Sequence, residues 1–397
     1  MKIEVFALER WLTTYENHVK FDIAESGIHP ITTRELLELE APEDRTKTMN
    51  RLLDLRLGYS EAPGTRALRS LIAGTYAATT PDEILVTTGA IEANYVLFNV
   101  LLEAGDHVVA VAPAYQQLIS VPAAIGCEVS RWEVRQRKGS RFRFDLDALE
   151  RLVTPRTRLI VLNTPHNPTG AMLSEDELRR VYALAESVNA WVMADEAYRW
   201  LTVPDGDPPA PPIRDLGELG ISVGTLSKPF GLPGLRIGWI AGPPDLIAAC
   251  WAARDYVSLS PGKLNDALAV IALRHRDALI DRTREIVAAN LKTANAWFEA
   301  NADLAAWNQP RGGLLALMTY AMDMASLELA NALAEEASVM LAPGSVFGLE
   351  HHLRIGIGQE PDIFAEGLEH TATYLRQLRA KGVPDRPGWC TPTTEGT

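Results

Sequence analysis

Between residues 84 and 241, short apolar stretches rich in β-branched residues alternate with segments long enough to form helices. The apolar stretches are 84–88, 107–112, 128–134, 159–163, 191–195, 221–226 and 235–241. Strands that alternate with helices at this spacing are typical of βαβ units around a mostly parallel sheet. Because the stretches are apolar nearly throughout, both faces of the sheet are expected to be covered. We therefore predict an α/β protein with a mostly parallel seven-stranded sheet between helices.

The chain on either side of this alternation has a different pattern. Residues 8–20 and 33–39 predict amphipathic helices, and the chain from about residue 262 is strongly helical. Short strands are predicted at 314–318 and 352–357. These segments indicate a second region of mixed α and β structure.

A chain of 397 residues is too long for one core, so two domains are expected. We predict a large domain of residues 46–285 and a smaller α+β domain that combines residues 1–45 with 286–383. Residues 384–397 are rich in Pro, Gly and Thr and predict a loose tail. Within the large domain, Ser174 and Glu177 have the spacing of a capping box that opens a helix.

The composition excludes several classes of protein. The net charge of −13 argues against a general affinity for nucleic acid, which needs clustered Lys and Arg. The cysteines, Cys127, Cys250 and Cys390, have no CxxC spacing, so we expect no disulfide framework and no metal site. No apolar run approaches the ~20 residues of a membrane span, and the first residues do not resemble a signal peptide. A cytoplasmic protein is expected.

Polar residues follow several predicted strands, at the edge where ligands bind in sheets of this kind. Lys228 follows one strand, Asp195 ends another, and Asn167 lies in a loop after a third. A lysine that forms an imine and a carboxylate that holds a ring nitrogen are requirements of pyridoxal 5′-phosphate (PLP) chemistry. The phosphate of PLP also needs a helix N-terminus and a cation, and the substrate carboxylate needs an arginine. The sequence has a candidate for each requirement.

The stretch 224–238 resembles the lysine region of the class I/II aminotransferases, which have PLP fold type I. The resemblance implies that Lys228 forms the imine and that Arg236 and Thr225 bind the phosphate, with Ser227 in the same cofactor-binding loop. Residues 163–170 are similar to the strand-end motif PxNPTG of this family. This second similarity implies that Asn167 contacts the phenolate oxygen and the substrate.

The segment Asp195-Glu196-Ala197-Tyr198 is similar to a further motif of the family. The resemblance implies that Asp195 holds the ring nitrogen and that Tyr198 reaches the phenolate oxygen, while Glu196 faces away. A buried Asp is costly unless it has a cationic partner, and a protonated pyridine is such a partner. His166 has no assigned role and is equally consistent with packing in its loop.

The phosphate and the face of the ring have candidates nearer the N-terminus. Thr88-Gly89-Ala90-Ile91 opens a predicted helix, so the amides of Ala90 and Ile91 are expected to point at the phosphate. Ala and Ile stand where the family often has a hydroxyl, which implies fewer side-chain donors. Tyr115 matches the aromatic residue that stacks on the ring, although an aromatic residue after a strand is also typical of a core.

Two further matches concern the substrate and the partner subunit. Arg354 lies in a segment that matches the motif of the carboxylate-binding arginine, and Tyr59 matches a tyrosine that reaches the neighbouring subunit's phosphate. The resemblance covers about residues 20–375 and implies a homodimer acting on a small amino acid. The loop residues Gly27, Ile28 and His29 are predicted to lie beside the substrate, with His29 either assisting a proton transfer or having no role.

The reaction remains open at this point. All members of the family share an external aldimine, and loss of the Cα proton then gives a quinonoid, with Lys228 as the base. The main hypothesis is an aminotransferase-type enzyme of natural-product metabolism. Residues 11–29, 225–236 and 254–260 are also similar to a cyclase that eliminates a hydroxyl group from a modified arginine. The alternatives are therefore such a cyclisation, C–S cleavage of a cysteine conjugate, or a non-catalytic regulator of the same fold.

Overall fold

The computed structural model describes residues 2–136, 141–204, 206 and 208–389. The strands are β1 Phe21–Asp22, β2 Ile84–Thr87, β3 His107–Ala112, β4 Glu128–Gln136, β5 Phe142–Phe144, β6 Thr157–Asn163, β7 Trp191–Asp195, β8 Gly220–Thr225, β9 Gly238–Ala241, β10 Ala305–Trp307, β11 Leu315–Tyr320, β12 Val339–Met340, β13 Ala342–Pro343 and β14 His352–Gly356. The helices are α1 Ala7–Tyr15, α2 Thr33–Glu38, α3 Pro42–Leu53, α4 Arg66–Ala73, α5 Ala90–Leu101, α6 Gln117–Ile125, α7 Leu146–Leu152, α8 Glu175–Ser187, α9 Pro244–Arg254, α10 Lys263–Arg274, α11 Arg276–Ala300, α12 Ser326–Ala337 and α13 Pro361–Ala380.

The main sheet has the order β2-β9-β8-β7-β6-β3-β4-β5. Strands β8, β7, β6, β3 and β4 pair in parallel, whereas β9 is antiparallel to both of its neighbours. The predicted α/β fold with a mostly parallel sheet is confirmed. The seven predicted strands are all present, and the short β5 adds an antiparallel strand at the edge beside β4. The strands β2, β3 and β8 are buried along their whole length, as continuous apolar runs require.

Two predicted element boundaries are wrong, for local reasons. Strand β9 begins at Gly238 rather than at residue 235, because Pro233–Leu235 forms a 3₁₀ turn and Arg236 has a left-handed backbone with φ of 49°. Helix α1 ends at Tyr15 rather than at residue 20, because the chain turns and Phe21 pairs with β12. The predicted capping box of Ser174 is confirmed at the start of α8.

The two ends of the chain share one apolar core. Leu8, Trp11 and Phe21 are buried together with residues of α11, α12 and α13 and of the second sheet, whose order is β10-β11-β14-β13. The boundary predicted between residues 285 and 286 falls within α11, which is one continuous helix. The N-terminal segment is therefore packed beside the C-terminal third, and it lies close to the edge of the main sheet through α1.

Residues 384–389 of the predicted loose tail are held in place. The backbone amide of Arg386 donates to the Ala321 carbonyl, and the backbone of Asp385 forms an isolated antiparallel β-bridge with Met322. The indole of Trp389 donates to the Asp303 carbonyl at 3.1 Å. These contacts anchor this part of the tail, whereas residues 390–397, with Cys390, lie outside the described residues.

None of the helices in the described ranges combines the length and the apolar character that crossing a bilayer requires.

Candidate active site

A cavity of about 330 Å³ lies at the carboxyl ends of β6, β7 and β8. This is the edge at which sheets of this topology bind ligands. Ten residues predicted from the sequence line it: Ala90, Ile91, Tyr115, Asn167, Asp195, Tyr198, Thr225, Ser227, Lys228 and Arg236. The wall also includes residues that the sequence did not single out, among them Glu9, Ser26, Asn94 and Asn163.

Lys228 extends into the cavity from the loop after β8. Its Nζ donates to Ser26 Oγ at 2.7 Å and lies 3.4 Å from Glu25 Oε1. Burial lowers the pKa of Lys228, but the carboxylate of Glu25 and the hydroxyl of Tyr198 outweigh it and raise the pKa above the ordinary value. The ammonium of Lys228 in turn holds the pKa of Glu25 below its usual range. The structure thus pairs Lys228 with a carboxylate from the N-terminal segment.

Asp195 is the last residue of β7 and is buried. Its Oδ2 accepts from Asn94 Nδ2 at 3.0 Å, and its Oδ1 accepts from the Ala197 amide at 3.1 Å. Burial raises the pKa of Asp195 despite these hydrogen bonds, because desolvation disfavours the charged form of the carboxyl. A cation placed in the cavity beside Asp195 would restore the ordinary ionisation of this carboxyl.

Asn167 connects the cavity with Arg354. The backbone amide of Asn167 donates to Asn163 Oδ1 at 2.7 Å, and this hydrogen bond fixes the loop after β6. Arg354 Nη1 donates to Asn167 Oδ1 at 3.2 Å, and Nη2 donates to the Ala24 carbonyl at 2.9 Å. Arg354 is only 1% exposed, and its Nε has no hydrogen-bond partner among the described residues. A buried guanidinium with an unused donor suits a carboxylate ligand.

Arg236 lies against the N-terminus of α5. Gly89 caps this helix with φ of 80°, and a Cβ on Gly89 would come within 2.5 Å of Arg236 Nη2. A Cβ on Gly238 would lie 2.4 Å from the Gly89 carbonyl carbon. Gly238 is required by this close approach of backbone atoms, and Gly89 is required by its positive φ. Together, the first amides of α5 and the guanidinium of Arg236 form a cradle suited to an anion such as a phosphate.

The hydroxyl groups of Thr225 and Ser227 belong to the same side of the cavity. Thr225 Oγ1 donates to the Ile237 carbonyl at 2.9 Å and accepts from the Ser227 amide at 3.1 Å. The two hydroxyl oxygens are 3.0 Å apart. This network fixes the start of the loop that carries Lys228.

Two tyrosines face the cavity from other elements. The hydroxyl of Tyr115 donates to Glu9 Oε1 at 2.8 Å, and its ring packs against Phe6 with centroids 4.8 Å apart. Burial raises the pKa of Tyr198, although Lys228 and Arg354 act in the opposite direction. Both hydroxyl groups therefore stay protonated near neutral pH.

Several predicted site residues do not reach this cavity within the described chain. Ile28 is 1% exposed and belongs to the apolar core. His29 Nδ1 lies 2.9 Å from Gln359 Oε1, so its ring is paired away from the lining residues. Gly27 follows Ser26 in the chain, and a Cβ on Gly27 would lie 3.1 Å from Glu25 Oε1. Tyr59 is 83% exposed on the surface.

Glu196 and His166 are positioned by structural contacts. Glu196 Oε1 accepts from the Ile213 amide at 2.7 Å and from Ser222 Oγ at 2.9 Å, so it faces away from the cavity. His166 is buried, and its Nδ1 lies 2.7 Å from Thr169 Oγ1.

Four residues with polar contacts in the site were not singled out from the sequence: Glu9, Ser26, Asn94 and Asn163. A signal existed for Asn94, because it interrupts an otherwise apolar stretch of α5. Glu9 and Ser26 gave no comparable signal, since each reaches the cavity only through long-range packing of the N-terminal segment.

The architecture is that of the class I and II aminotransferases, and the chain belongs to this family. The family model for aminotransferase class I and II matches residues 40–369. Capreomycidine synthase from Streptomyces vinaceus is 34% identical over 378 residues, which cover 94% of this chain and 95% of that protein. The protein is therefore an enzyme with PLP as its cofactor.

Solved structures agree with this assignment. A PLP-dependent aminotransferase from Streptococcus suis has a TM-score of 0.89 and 32% identity, covering 95% of this chain and 99% of that one. The PLP-dependent cyclase OrfR has a TM-score of 0.85 and 32% identity, covering 95% and 98% of the two chains. The likeness extends over nearly the whole chain and includes both aminotransferase and cyclase relatives.

The residues present fit PLP. The cradle of Gly89 and Arg236 suits its phosphate, and the buried carboxylate of Asp195 suits its protonated ring nitrogen. Lys228 supplies the amine within the same cavity. When bound, PLP supplies an aldehyde that condenses with an amine and a ring that accepts electrons from the substrate Cα.

Replacing Glu25 with glutamine should move the pH dependence of cofactor loading to lower pH by roughly one pH unit. Glu25 raises the pKa of Lys228, so its removal leaves a larger fraction of uncharged amine at a given pH. The measurement is the rate at which the cofactor absorption band grows when PLP is added to apoprotein across a pH series. Glu366→Gln is the matched control, because Glu366 pairs with the exposed Lys20 instead. An unchanged midpoint in Glu25→Gln would contradict the coupling.

Proposed function

We propose that this protein converts an α-amino acid by removing the proton from its Cα, in an aminotransferase-type reaction of natural-product metabolism. The observation that carries the proposal is Arg354, a buried guanidinium with an unused donor beside Asn167 in the cavity wall. Such a group binds the α-carboxylate of an amino acid in two places. The substrate amine would then lie toward Lys228, which enters the same cavity.

Each protein group has one task in this proposal. Lys228 Nζ holds the cofactor and later takes the Cα proton and returns it. Asp195 keeps a proton on the ring nitrogen, and Asn94 holds Asp195 in position. Asn167 and Tyr198 bind the phenolate oxygen. The amides of Ala90 and Ile91 bind the phosphate.

The remaining assigned contacts concern the phosphate and the face of the ring. Arg236, Thr225 and Ser227 complete the phosphate site beside Gly89, and Tyr115 covers the ring. The loop of Gly27 and His29 remains a proposal as part of the substrate site. In the structure, this loop contacts Glu25 and Gln359.

A second candidate is elimination from a hydroxylated arginine, followed by ring closure. The full-length likeness to capreomycidine synthase and to the cyclase OrfR favours it. In such a reaction, the electrons released from the Cα–H bond expel the hydroxyl group as water, and a guanidine nitrogen then adds to the resulting double bond. Transamination instead passes the amino group to a 2-oxo acid.

One assay separates the two candidates. Holoenzyme is mixed with a panel of amino acids that includes arginine, hydroxyarginine and S-substituted cysteines, with and without a 2-oxo acid, and products are followed by mass spectrometry. Turnover that requires the 2-oxo acid supports transamination. Loss of water from hydroxyarginine without an acceptor supports elimination and ring closure, and release of the thiol from a cysteine conjugate supports C–S cleavage. Consumption of no amino acid would contradict the proposed function.

We also propose that the enzyme is a homodimer in which Tyr59 reaches the partner's phosphate site. Three large side chains are more exposed than is usual for apolar residues on the surface of a monomer: Tyr59 at 83%, Leu57 at 81% and Tyr256 at 94%. The buried Arg254 fixes the segments that carry Tyr59 and Tyr256, by donating to carbonyl groups of Ala62, Val86 and Leu259. The exposed side chains thus stand on a rigid base, which suits a subunit contact.

Tyr59→Phe should weaken PLP binding by about tenfold, because a hydrogen bond to a charged phosphate is lost. Mixed dimers of Tyr59→Phe with Lys228→Ala chains should regain one site of wild-type PLP affinity, since that site takes Lys228 from one chain and Tyr59 from the other. PLP titration of the mixed sample measures this, and sedimentation velocity checks that a dimer is present. Absence of recovery in mixed dimers would place Tyr59 in its own chain's site or in none.

A further inference from the structure

Helix α1 carries a carboxylate into the wall of the cavity. Glu9 Oε1 accepts from the Tyr115 hydroxyl at 2.8 Å. Helix α1 is fixed on both sides of Glu9. The Ala7 backbone amide donates to Gln116 Oε1 at 2.9 Å, and the Trp11 indole donates to Asn331 Oδ1 at 2.8 Å. These hydrogen bonds therefore hold Glu9 at the wall of the cavity.

The other two carboxylates near the cavity already have a task. Asp195 is bonded to Asn94 and is placed for the cofactor ring, and Glu25 forms an ion pair with Lys228. For Glu9, by contrast, the described part of the chain places no Lys or Arg nitrogen within ion-pair distance. A half-buried carboxylate beside a ligand cavity is costly without a cationic partner. Among the described residues, Glu9 is therefore a lining carboxylate without an ion pair, although its charge also acts on the guanidinium of Arg354.

The hydrogen bond from Tyr115 leaves Glu9 able to bind a second donor. Burial and the charge of Glu9 raise the pKa of Tyr115, so its hydroxyl stays protonated and keeps donating. Within the described chain this hydrogen bond reaches Oε1, which leaves Oε2 for another partner. A neutral hydroxyl orients the carboxylate without cancelling its charge.

We infer that Glu9 binds the cationic end of the substrate side chain, so that the substrate is an α-amino acid with a guanidinium or ammonium group. This inference rests on the proposed function, in which Arg354 binds the α-carboxylate. The two charges of opposite sign, Arg354 and Glu9, then define the two ends of a basic amino acid. A guanidinium fits best, because its paired N–H groups match a carboxylate.

The test compares amino acids of equal length that differ in side-chain charge. Dissociation constants of L-arginine and neutral L-citrulline are measured from the absorbance change of wild-type holoenzyme, and L-lysine with L-norleucine forms a second pair. Wild type should bind the cationic member of at least one pair about tenfold more tightly. Glu9→Gln should reduce that preference about tenfold, with little change for the neutral member. Glu9→Asp, which keeps the charge, should retain part of the preference.

Glu16→Gln is the matched control, because Glu16 caps the exposed end of the same helix. This control should keep the wild-type preference. An equal affinity of wild type for both members of each pair would overturn the inference, and so would an unchanged preference in Glu9→Gln. The cofactor absorption band and the thermal midpoint of each variant report on folding. Failure of the proposed function would be visible separately, because the wild-type holoenzyme would then consume none of the amino acids in the panel.

Discussion

Lys228→Ala is expected to abolish covalent attachment of PLP and to lower turnover by at least about 10²- to 10⁴-fold, the range typical of a lost general base. The side chain of Lys228 lies among Ser26, Glu25 and Tyr198 in the cavity, and it is the lysine that lines this cavity in the described chain. In the proposed reaction, the same amine holds the cofactor and moves the Cα proton, so no neighbouring group can replace both functions.

The measurement for Lys228 combines borohydride reduction with peptide mass spectrometry. Reduced wild type should carry the cofactor mass on the peptide that contains Lys228, and the alanine variant should not. Lys228→Arg keeps a cation beside Glu25 but cannot form an imine, so it separates loss of charge from loss of attachment. Lys292→Ala, in the exposed face of α11, should behave as wild type. Cofactor mass retained on the Lys228→Ala chain would refute the assignment.

Asp195→Asn is expected to leave PLP binding largely intact but to lower the rate of Cα proton removal by roughly 10²- to 10³-fold. The substitution keeps the shape of the side chain and removes its charge. The expected loss of rate corresponds to about 3–4 kcal/mol of transition-state stabilisation, since each 1.4 kcal/mol is a factor of ten. The effect falls on the reaction because the ring accepts electrons well only when its nitrogen is protonated.

Exchange of the substrate Cα proton with D₂O measures this rate directly. Glu196→Gln is the matched control, since Glu196 is the adjacent buried carboxylate and its partners are Ile213 and Ser222 rather than the cavity. Burial raises the pKa of Glu196 to about 7, so the neutral amide of a glutamine resembles the protonated form of Glu196. Equal exchange rates in Asp195→Asn and Glu196→Gln would contradict the role of Asp195.

Much of the site could be predicted from the sequence, because its residues follow strands at short fixed distances. Asn163, Asp195 and Thr225 each end a strand, and adjacent parallel strands bring their carboxyl ends together. The helix that starts at Ala90 was predicted from the glycine and the apolar pattern that follow β2. These features depend on local periodicity and turn chemistry, which a sequence displays directly.

Other contacts could not be predicted, because the deciding partners are distant in sequence. His29 pairs with Gln359, and Ile28 is buried in a core shared by both ends of the chain. The length of α1 was overestimated, since pairing of Phe21 with Val339 draws the chain away from helical geometry. Local propensity carries no information on such partners.

The sequence by itself determined the α/β class, the order of the strands along the chain and the residue types that suit PLP. The tertiary structure alone decided the spatial order β2-β9-β8-β7-β6-β3-β4-β5, the arrival of Glu9 and Ser26 at one cavity, and the contact of Arg354 with Asn167 in the wall of that cavity. The physical reason is that burial of apolar surface joins residues 8–28 to residues 287–378. That long-range packing brings a carboxylate from the first helix and an arginine from β14 to the lysine that follows β8.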